Sequence, residues 1–360
     1  MDILKGELLN MCLDVEITNI KNLNEYKDDI LNITSGNKNM SVFQSYDWLN
    51  IAFNECKNNI LKRFLYDLKI AFLKRNNELQ AIAILEVNKK KKYIKILGDD
   101  VSSDYIDILY KQGCTKADIE FFFKKILQIT KMEKFYFINL PVDSLSYEVL
   151  KNNNFFTQFR EEKCVHIDLK YNDYDEYFKH LSKKTRQNIR TGFNKLKKEG
   201  FAYNTKIFKG TIDSTIAMEC QKIYETRRKK LNSNRKNLGY RVYNLRRKIS
   251  LFFYNHMVEA MKTNNNAIIV IFYINNEIAA FCHGQFGNKM DISFMQVSIN
   301  EKYRRFSPGM LMLNELIKNM FENKDFENYN IIDLTRGQED YKYRLGGIEH
   351  VVISGVLNNE

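Results

Sequence analysis

The residues best suited to chemistry stand together near the end of the chain, in the segment Arg304-Arg305-Phe306-Ser307-Pro308-Gly309-Met310. Apolar residues at helical spacing follow it, so the segment leads into a helix, with Pro308 in the first turn and Ser307 as its N-cap. Gly309 lets a ligand approach the backbone closely. Free amides and the positive end of a helix dipole bind anions, and the two arginines add charge. The pattern predicts a phosphate or pyrophosphate site; a well-capped ordinary helix is the alternative.

Two residues are candidates for a general base. His283 lies in the middle of a predicted strand, where alternation points it away from Cys282 and Gly284, and imidazole titrates near neutral pH. Asp333 ends another predicted strand and could take a proton or bind an amine. A hydrogen-bonded structural histidine and an aspartate that caps the following loop remain open as alternatives.

Much of the positive charge lies in one basic segment, residues 226–248. The chain has a formal net charge of +12, and this segment holds ten Lys and Arg residues without a single acid. Such a density predicts a phosphorylated or polyanionic partner: nucleic acid, coenzyme phosphates or an anionic lipid headgroup. We expect the segment to be partly mobile in the free protein, and a solvated charged loop is the alternative.

Composition excludes several classes of protein. With 360 residues, 44% hydrophobic content and only 2 prolines, the chain is long and apolar enough for two globular domains. The longest apolar run, residues 267–274, is far shorter than a membrane span, and the acidic N-terminus does not resemble a signal peptide. We therefore predict a cytoplasmic protein. Its six dispersed cysteines predict neither a metal site nor a disulfide scaffold.

The predicted elements follow a similar order twice. The first half reads as strands 68–73, 80–87 and 93–97, helix 116–129 and strand 134–140. After strand 164–169, the second half reads as helices 182–199, 216–224 and 245–262, strands 267–274, 277–286 and 289–299, helix 308–321, strand 329–334, helix 340–345 and strand 350–356. The pairs Asn76-Asn77, Asn275-Asn276 and Gly287-Asn288 predict hairpin turns between strands, and Ile119, Phe122, Phe123 and Ile126 form an apolar stripe on helix 116–129. The order of elements predicts an α/β fold in which a mixed sheet flanked by helices occurs twice. We expect domains 1–165 and 166–360, packed without a flexible linker and with a cleft between them.

Several motifs resemble the GNAT acyltransferase superfamily. The residues Arg304, Ser307 and Gly309 resemble its coenzyme motif R/Q-x-x-G-x-G/A, with serine in place of the first glycine. Four more segments resemble its tandem branch, typified by CelD/BcsL-type proteins of polysaccharide gene clusters and related more distantly to Fem-type transferases. These segments are Phe43 to Trp48, Leu97 to Tyr105, Lys183 to Arg190 and Asp333 to Lys342.

The resemblance implies tandem GNAT-like domains, of which the N-terminal one is degenerate and on the acceptor side and the C-terminal one binds acyl-CoA. The coenzyme pyrophosphate would lie at the Arg304 to Met310 motif and the pantetheine along residues 294–298. The implied cofactor-binding residues are Gln296, Val297, Ser298, Arg304, Arg305, Ser307, Gly309, Met310 and Lys342. The implied catalytic residues are His283, Asp333 and Tyr341, and the implied substrate-binding residues are Trp48, Asp104, Tyr105, Arg186, Arg190 and Arg336.

The chemistry implied by the resemblance is direct attack of an amine or hydroxyl on a thioester. A backbone amide near Val297 would stabilise the oxyanion, and Tyr341 or Tyr343 would protonate the departing thiolate. The predicted reaction is N- or O-acylation, such as acetylation of an amino sugar or related precursor of a cell-surface polysaccharide. The acceptor would bind in the cleft between the two domains, and the basic segment would face it. A lipid-linked acceptor would bring the protein to the inner surface of the membrane.

Two other functions remain open. A Fem-type transferase would take an aminoacyl group from charged tRNA, and the basic segment could follow the RNA backbone. Against this, the chain has no long heptad-patterned hairpin of the kind that many Fem-type proteins carry. The other alternative is a non-catalytic nucleic-acid-binding or scaffold protein that retains the fold.

Overall fold

The computed structural model describes residues 13–37, 40–98, 103–231 and 238–359. The chain divides into two compact units: unit 1 comprises Met1–Glu162 and Val351–Glu360, and unit 2 comprises Lys163–His350. The predicted domain boundary at 165/166 lies close to this division. The last strand differs, because the prediction places it wholly in the second domain, whereas Val351–Glu360 belong to unit 1. Tight packing of the two halves stays a prediction.

Unit 1 contains a mixed sheet with helices on its faces. Its helices are α1 (Lys27–Thr34), α2 (Tyr46–Asn58), α3 (Ile60–Leu65), α4 (Lys116–Thr130) and α5 (Leu145–Leu150). Its strands are β1 (Leu13–Asn19), β2 (Asp67–Arg75), β3 (Glu78–Asn88), β4 (Tyr93–Ile96), β5 (Leu109–Tyr110) and β6 (Lys134–Pro141), followed by part of β7 (Phe156–Asp168). The strand order is β1-β2-β3-β4-β6, with β5 paired to β3 and the C-terminal strand β13 (Ile348–Asn358) paired to β6.

The local signals of unit 1 explain why these elements form. Asn76 and Asn77 both have positive φ, as the predicted two-residue hairpin turn between β2 and β3 requires. In α4, the predicted apolar stripe Ile119, Phe122, Phe123 and Ile126 is fully buried against the sheet. Thr115 begins this helix with a capping box, so both its N-terminus and its buried face follow from sequence.

The strands of unit 2 also form mixed β-sheet with helices on its faces. The helices of this unit are α6 (Tyr174–His180), α7 (Lys183–Lys198), α8 (Ser214–Leu231), α9 (Leu238–Phe253), α10 (His256–Thr263), α11 (Pro308–Glu322) and α12 (Asp340–Arg344). Its strands are β8 (Tyr203–Lys209), β9 (Ala267–Ile274), β10 (Glu277–Phe286), β11 (Asp291–Ile299) and β12 (Ile331–Arg336). The order from β7 onward is β7-β12-β11-β10-β9-β8, and β11 and β12 run parallel. The predicted α/β fold, with mixed sheets flanked by helices, is confirmed.

The two faces of the sheet in unit 2 carry different helices. On one face α7 and α11 pack on residues such as Cys282 and Phe294, and on the other α8 and α10 pack on residues such as Phe281. Helix α7 crosses close to α11 because Gly192 has no side chain: a Cβ there would lie 2.9 Å from Leu311 Cδ2. The face that each strand residue occupies therefore decides which helices surround it.

Three predicted elements differ from the structure. The predicted helix 245–262 is two helices, α9 and α10, because Asn255 accepts a hydrogen bond from Val258 N and caps a new helix. The predicted helix 216–224 is longer in the structure, where α8 runs from Ser214 to Leu231. The predicted turn Gly287-Asn288 is a longer loop, with β11 starting only at Asp291.

The predicted mobility of the basic segment stays a prediction. Its residues 226–231 and 238–248 lie within α8 and α9, and its residues 232–237 lie outside the described residues. Within the described ranges, no helix is both long enough and apolar enough to cross a bilayer.

Candidate active site

The start of α11 has an unusual backbone. Pro308 occupies the first helical turn, as predicted. Ser307 adopts the left-handed conformation, with φ 54° and ψ 49°, and its side chain makes no capping hydrogen bond. The predicted side-chain N-cap at Ser307 is therefore wrong, since a left-handed residue directs its side chain away from the first amides of the helix. The turn instead joins the preceding 3-10 helix, Glu301–Phe306, directly to α11.

The amides at this turn are mostly engaged. Ser307 N donates to Arg304 O at 3.0 Å, and Met310 N donates to Ser307 O at 3.0 Å. Among the backbone bonds of the described residues, the amide of Gly309 has no acceptor. Of the three predicted pyrophosphate donors, only Gly309 therefore offers a free N–H. Its missing side chain also keeps the turn close to β11, because a Cβ there would lie 3.0 Å from Ile299 Cγ2.

The two arginines beside this turn are exposed and paired with acids. Arg304 lies 3.2 Å from the Glu301 carboxylate, and Arg305 lies 2.5 Å from Glu199 while its guanidinium stacks on Phe306. Exposed ion pairs contribute little free energy, about 0–1 kcal/mol. An anionic ligand at Gly309 could therefore replace either acid at small cost.

The strands β11 and β12 pair only at their beginnings. The parallel ladder joins Asp291 to Ile331, Ile292 to Ile332 and Ser293 to Asp333, and no later pair joins these strands in the described ranges. Thr335, in the left-handed conformation, still donates its hydroxyl to Phe294 O at 3.2 Å. Beyond that point β11 keeps β10 as its one ladder partner, so the sheet opens beside residues 295–299.

A row of buried polar side chains lies on β10 and β11 next to this opening. His283 pairs with Gln296 and Phe281 pairs with Ser298 across the ladder, so these side chains share one face of the sheet. Because Phe281 packs with α8 and α10, this is the face opposite α11. A bulge between Phe294 and Gln296 changes the alternation, which sends Val297 to the α11 face and Gln296 and Ser298 to the other. We call His283, Gln296 and Ser298 the polar row.

The polar row is almost completely without hydrogen-bond partners. Both ring nitrogens of His283, both amide atoms of Gln296 and the hydroxyl of Ser298 are buried and bond to none of the described residues. Native proteins leave very few buried polar atoms unpaired. Burial, followed by the nearby His256, lowers the pKa of His283 to about 3, so its imidazole is neutral at pH 7. Five such atoms on two adjacent strands have the chemistry to bind a polar, uncharged group.

The other predicted catalytic residues are Asp333, which lies in the middle of β12 and not at its end as predicted, and Tyr341 of α12. Asp333 is buried and accepts a hydrogen bond from Thr335 N at 2.8 Å through Oδ1. Tyr341 packs against the α11-side core, and burial, together with the Glu339 charge, raises the pKa of its phenol well above the usual range. Arg227 of α8 acts on the same phenol in the opposite direction. Tyr341 thus stays protonated at neutral pH.

Lys342 holds the backbone that follows β12. Its ammonium is 2% exposed and lies 2.8 to 3.2 Å from the carbonyl oxygens of Leu334, Thr335, Arg336 and Gly337 and 3.1 Å from the Glu339 carboxylate, so these acceptors share its three N–H groups. An ammonium surrounded in this way cannot reach a coenzyme phosphate. The predicted coenzyme contact of Lys342 therefore has no support in this geometry. Arg336 takes part in this hydrogen bonding through its carbonyl oxygen, which accepts from Lys342.

Sequence reasoning missed a histidine pair in the same unit. His166 of β7 lies opposite Asp333 in the ladder, and its Nδ1 is 3.2 Å from Nδ1 of His350. Burial, and next the His350 ring, lower the pKa of His166, whereas Asp168 and Asp333 oppose that shift. No local sequence signal links positions 166 and 350, since only the pairing of distant strands brings them together.

The predicted substrate-binding residues fall into two separate groups. In unit 1, Trp48 and Tyr105 pack edge-on around Phe43, Trp48 Nε1 donates to Ser103 Oγ at 3.0 Å, and Asp104 follows that serine. In unit 2, Arg186 donates to Leu181 O at 2.7 Å and so caps the end of α6. Arg190 stacks on Phe178. These four aromatic and arginine side chains therefore have structural partners, and their substrate roles stay predictions; Asp99 and Asp100 lie outside the described residues.

Part of the basic segment lies against acids from outside it. Lys230 contacts Glu301 at 2.7 Å, and the same carboxylate contacts Arg304, so the end of α8 reaches the turn before α11. Arg247 pairs with Glu225 through both guanidinium nitrogens. The segment is thus partly neutralised by the protein itself.

The comparisons with known proteins concern both the sequence and the fold. Residues 183–343 match the family model described as an acetyltransferase (GNAT) domain. A search of curated protein sequences found no significant match. Two crystal structures share the fold at low identity. A conserved protein of unknown function from Bacteroides thetaiotaomicron is 16% identical, with a TM-score of 0.56 over 96% of this chain and 100% of that one. FemX is 12% identical, with a TM-score of 0.58 over 95% of this chain and 97% of that one.

Proposed function

Because residues 183–343 match the model of a GNAT acetyltransferase domain, we propose that the chain is an acyltransferase of the GNAT superfamily and that its donor is an acyl-CoA. We further propose that its acceptor is the amine or hydroxyl of an amino sugar or related polysaccharide precursor. The observation that carries this proposal is the polar row beside the opening between β11 and β12. It lies on one face of the sheet, and the free amide of Gly309 lies on the other.

The donor half of the proposal rests on the start of α11. Gly309 N would donate to a pyrophosphate oxygen, and Arg304 and Arg305 would exchange Glu301 and Glu199 for phosphate. The pantetheine would then run along β11, whose backbone beyond Ser293 has no partner on β12 in the described ranges. A donor bound in this way would bring its thioester to the opening in the sheet, beside the polar row.

The acceptor half rests on the chemistry of the polar row. Neutral imidazole, carboxamide and hydroxyl groups bind hydroxyls and uncharged amines well, and they offer no charge for a phosphate or carboxylate. An acceptor bound there would place its nucleophile next to the thioester carbon. Attack forms the C–N or C–O bond and breaks the C–S bond, while the acceptor loses one proton and the thiolate gains one.

We assign the proton transfers to residues near the opening. With a pKa of about 3, His283 is a weak base, so its proposed role is to position the acceptor by hydrogen bonding. Asp333, in the last β11–β12 pair, is the proposed base, and His166 lies beside it in the ladder to accept the proton further. Tyr341, protonated at neutral pH, would supply the proton that the thiolate takes.

The direct test measures donor binding and turnover together. Native mass spectrometry of the purified protein, followed by titration with acetyl-CoA and longer acyl-CoAs, should detect a one-to-one complex. Turnover with amino-sugar acceptors should release free thiol. Asp333→Asn should lower kcat with little change in KM, whereas His283→Gln should mainly raise the KM of the acceptor. Absence of binding by every acyl-CoA tested would remove the donor proposal.

An aminoacyl-tRNA donor is the second candidate, and the cationic side of α8 favours it. Arg227 and Lys230 lie near Tyr341 and Glu301 respectively, so cations border the same opening. A charged tRNA would need these and further cations, and its binding would weaken steeply with salt. Transfer of an amino acid from aminoacyl-tRNA, without any acyl-CoA binding, would replace the first proposal by this one. Inactivity with both donors would support a scaffold role.

A further inference from the structure

Helix α3 presents apolar side chains to solvent and buries none of its own residues. Ile60, Leu61, Phe64 and Leu65 are 47%, 40%, 82% and 50% exposed. At about 100° of rotation per residue they occupy one continuous arc of roughly 140° on the helix. A soluble surface rarely gathers four large apolar residues in six positions, so this face has the composition of a contact surface.

The helix is fixed in place by polar anchors at both ends. The Asn59 side chain accepts hydrogen bonds from Leu61 N and Lys62 N, and Lys62 contacts the buried Glu55 at 2.9 Å. At the other end the Tyr66 hydroxyl lies 2.8 Å from that of Tyr93. The apolar face is therefore held outward by a rigid attachment.

A basic groove of about 570 Å³ lies directly beside α3. It is bordered by the end of β1, the end of α2, α3 itself and the start of β2. Six of its lining residues are cationic and one, Asp67, is acidic; the cations are Lys21, Lys57, Lys62, Arg63, Lys69 and Lys89. Lys62, Lys69 and Lys89 have partners in Glu55, Asn19 and Asp67, whereas Lys21, Lys57 and Arg63 pair with none of the described residues.

We propose that α3 and the basic groove together dock this protein on the surface of an anionic lipid bilayer. The apolar arc would enter the boundary between headgroups and acyl chains, and the three unpaired cations would contact the anionic headgroups. The cations of the groove favour an anionic surface. The exposed apolar arc distinguishes a bilayer from a small phosphorylated ligand, which would use the cations alone and leave Phe64 in water. The surface lies in unit 1 and involves neither the polar row nor the turn at Gly309.

The test is co-sedimentation with vesicles of phosphatidylcholine alone and of phosphatidylcholine with an equal part of phosphatidylglycerol. The wild-type chain should bind the anionic vesicles and lose binding as salt rises. The double variant Phe64→Ser with Leu65→Ser should lower partitioning at least tenfold. The triple variant Lys21→Gln, Lys57→Gln, Arg63→Gln should remove the preference for the anionic vesicles.

Matched controls distinguish binding by this surface from non-specific adsorption to the vesicles. Ile129→Ser removes a similarly exposed apolar side chain from α4, and Lys125→Gln with Lys131→Gln and Lys134→Gln removes the same charge elsewhere in unit 1. Both controls should bind like the wild type. In a second measurement, brominated lipid should quench the fluorescence of the tryptophan introduced by Phe64→Trp. The fluorescence of the native Trp48 should not be quenched, because that side chain is buried.

Three results would overturn the proposal. Vesicle binding unaffected by the Phe64 and Leu65 substitutions would place the contact elsewhere. A concentration-dependent dimer without lipid, lost in the same double variant, would make a second copy of the chain the occupant. Binding of glycerol phosphate at the basic groove without any vesicle binding would identify a soluble ligand.

Discussion

In both units two parallel strands separate after three pairs, but the polar groups beside the separation differ in their hydrogen bonding. In unit 1, β4 and β6 form three parallel pairs, from Tyr93 with Lys134 to Lys95 with Tyr136, and then separate. In unit 2, β11 and β12 form three parallel pairs and separate likewise. Each second strand then carries one residue in the left-handed conformation, Asn139 in β6 and Thr335 in β12, both with φ 52°.

Unit 1 completes its opening with its own chain. Ile106 N donates to Asn139 O at 3.1 Å, and the Asn139 side chain donates to Ser103 O and accepts from Arg160. Arg160 also donates to Ser354 at 2.9 Å. The segment that follows β4 thus supplies the hydrogen bonds that β6 needs, and little polar capacity remains there for a ligand.

Unit 2 leaves polar capacity beside its opening, in the polar row. Separation of two parallel strands thus occurs in both units, whereas the polar row occurs beside the opening of unit 2. On this difference rests our proposal that unit 2 carries out the chemistry. The four predictions below test the contrast, in order of decreasing effect.

The largest expected effect is on donor binding in unit 2. Gly309→Glu places a carboxylate at the free amide and should weaken acyl-CoA binding at least a hundredfold, through repulsion and steric block, measured by calorimetric titration. Gly309→Ala is the control, because it adds the same Cβ, 3.0 Å from Ile299, without the charge. Equal losses in the two variants would mean that packing, and not an anion, governs this position.

The next prediction concerns stability and has opposite signs in the two units. Asn139→Gly keeps the left-handed backbone but removes the hydrogen bonds to Ser103 and Arg160, so it should lower the free energy of unfolding by about 2–3 kcal/mol. Gln296→Leu removes two unpaired buried atoms and should raise that free energy by about 1 kcal/mol.

Chemical denaturation measures both changes, and Gln296→Leu should also reduce turnover. A destabilised Gln296→Leu protein would show that this side chain is satisfied in the free protein. The contrast between the units would then lose its main support.

How much of this could be read from sequence depends on the range of the interaction. Local signals predicted the Asn-Asn hairpin turns, the stripe of α4 and Pro308 at the start of α11. The break between α9 and α10 also had a local signal in Asn255, but continuous apolar spacing concealed it. By contrast, the left-handed Ser307 depends on how the 3-10 helix meets α11, a tertiary constraint without a residue signature.

The sequence predicted which residues belong to the candidate site better than it predicted which groups they contact. His283 was identified from its place in a predicted strand, and Gln296 and Ser298 from the resemblance to GNAT proteins. Alternation alone does not predict that the three share one face of the sheet, because a bulge lies between Phe294 and Gln296. The enclosure of Lys342 by carbonyl groups five to eight residues before it depends on the path of the loop after β12, and the contact of His166 with His350 joins side chains 184 residues apart. No periodicity in one segment encodes such contacts.

The third prediction is a pH dependence of stability that depends on His283. Its folded-state pKa of about 3 lies below the ordinary value of 6.5, so the unfolded chain binds the extra proton between these limits. The free energy of unfolding should therefore fall by about 1.4 kcal/mol per pH unit as the pH drops below 6.5. His283→Gln should flatten this slope between pH 6.5 and 5, before most carboxylates titrate.

Denaturation of both proteins across that window measures the difference. His166→Gln is the comparison, since the pKa of His166 is also lowered but its ring is only half-buried. Identical slopes in the wild-type chain and His283→Gln would mean that an internal partner stabilises the imidazolium.

The smallest expected effect concerns the basic segment, for which we predicted contact with the acceptor. The Glu301 carboxylate accepts hydrogen bonds from both Lys230 and Arg304. The hydrogen bond from Lys230 lowers the pKa of this carboxyl, so Glu301 is charged at neutral pH. Glu301→Gln would release both cations beside the turn at Gly309. Because exposed ion pairs contribute about 0–1 kcal/mol, acyl-CoA affinity should rise by about two- to fivefold and become more sensitive to salt.

Glu322→Gln, at the far end of α11, changes the net charge equally and should leave that affinity unchanged. Neutralising Arg227, Arg228, Lys229 and Lys230 to Gln completes the comparison. A loss of acyl-CoA affinity in this quadruple variant would assign the end of α8 to the donor, as the Lys230–Glu301–Arg304 contact indicates. A loss confined to acceptor KM would restore the sequence-based assignment, because it would show that Glu301 neutralises Lys230 without any part in binding the coenzyme phosphates.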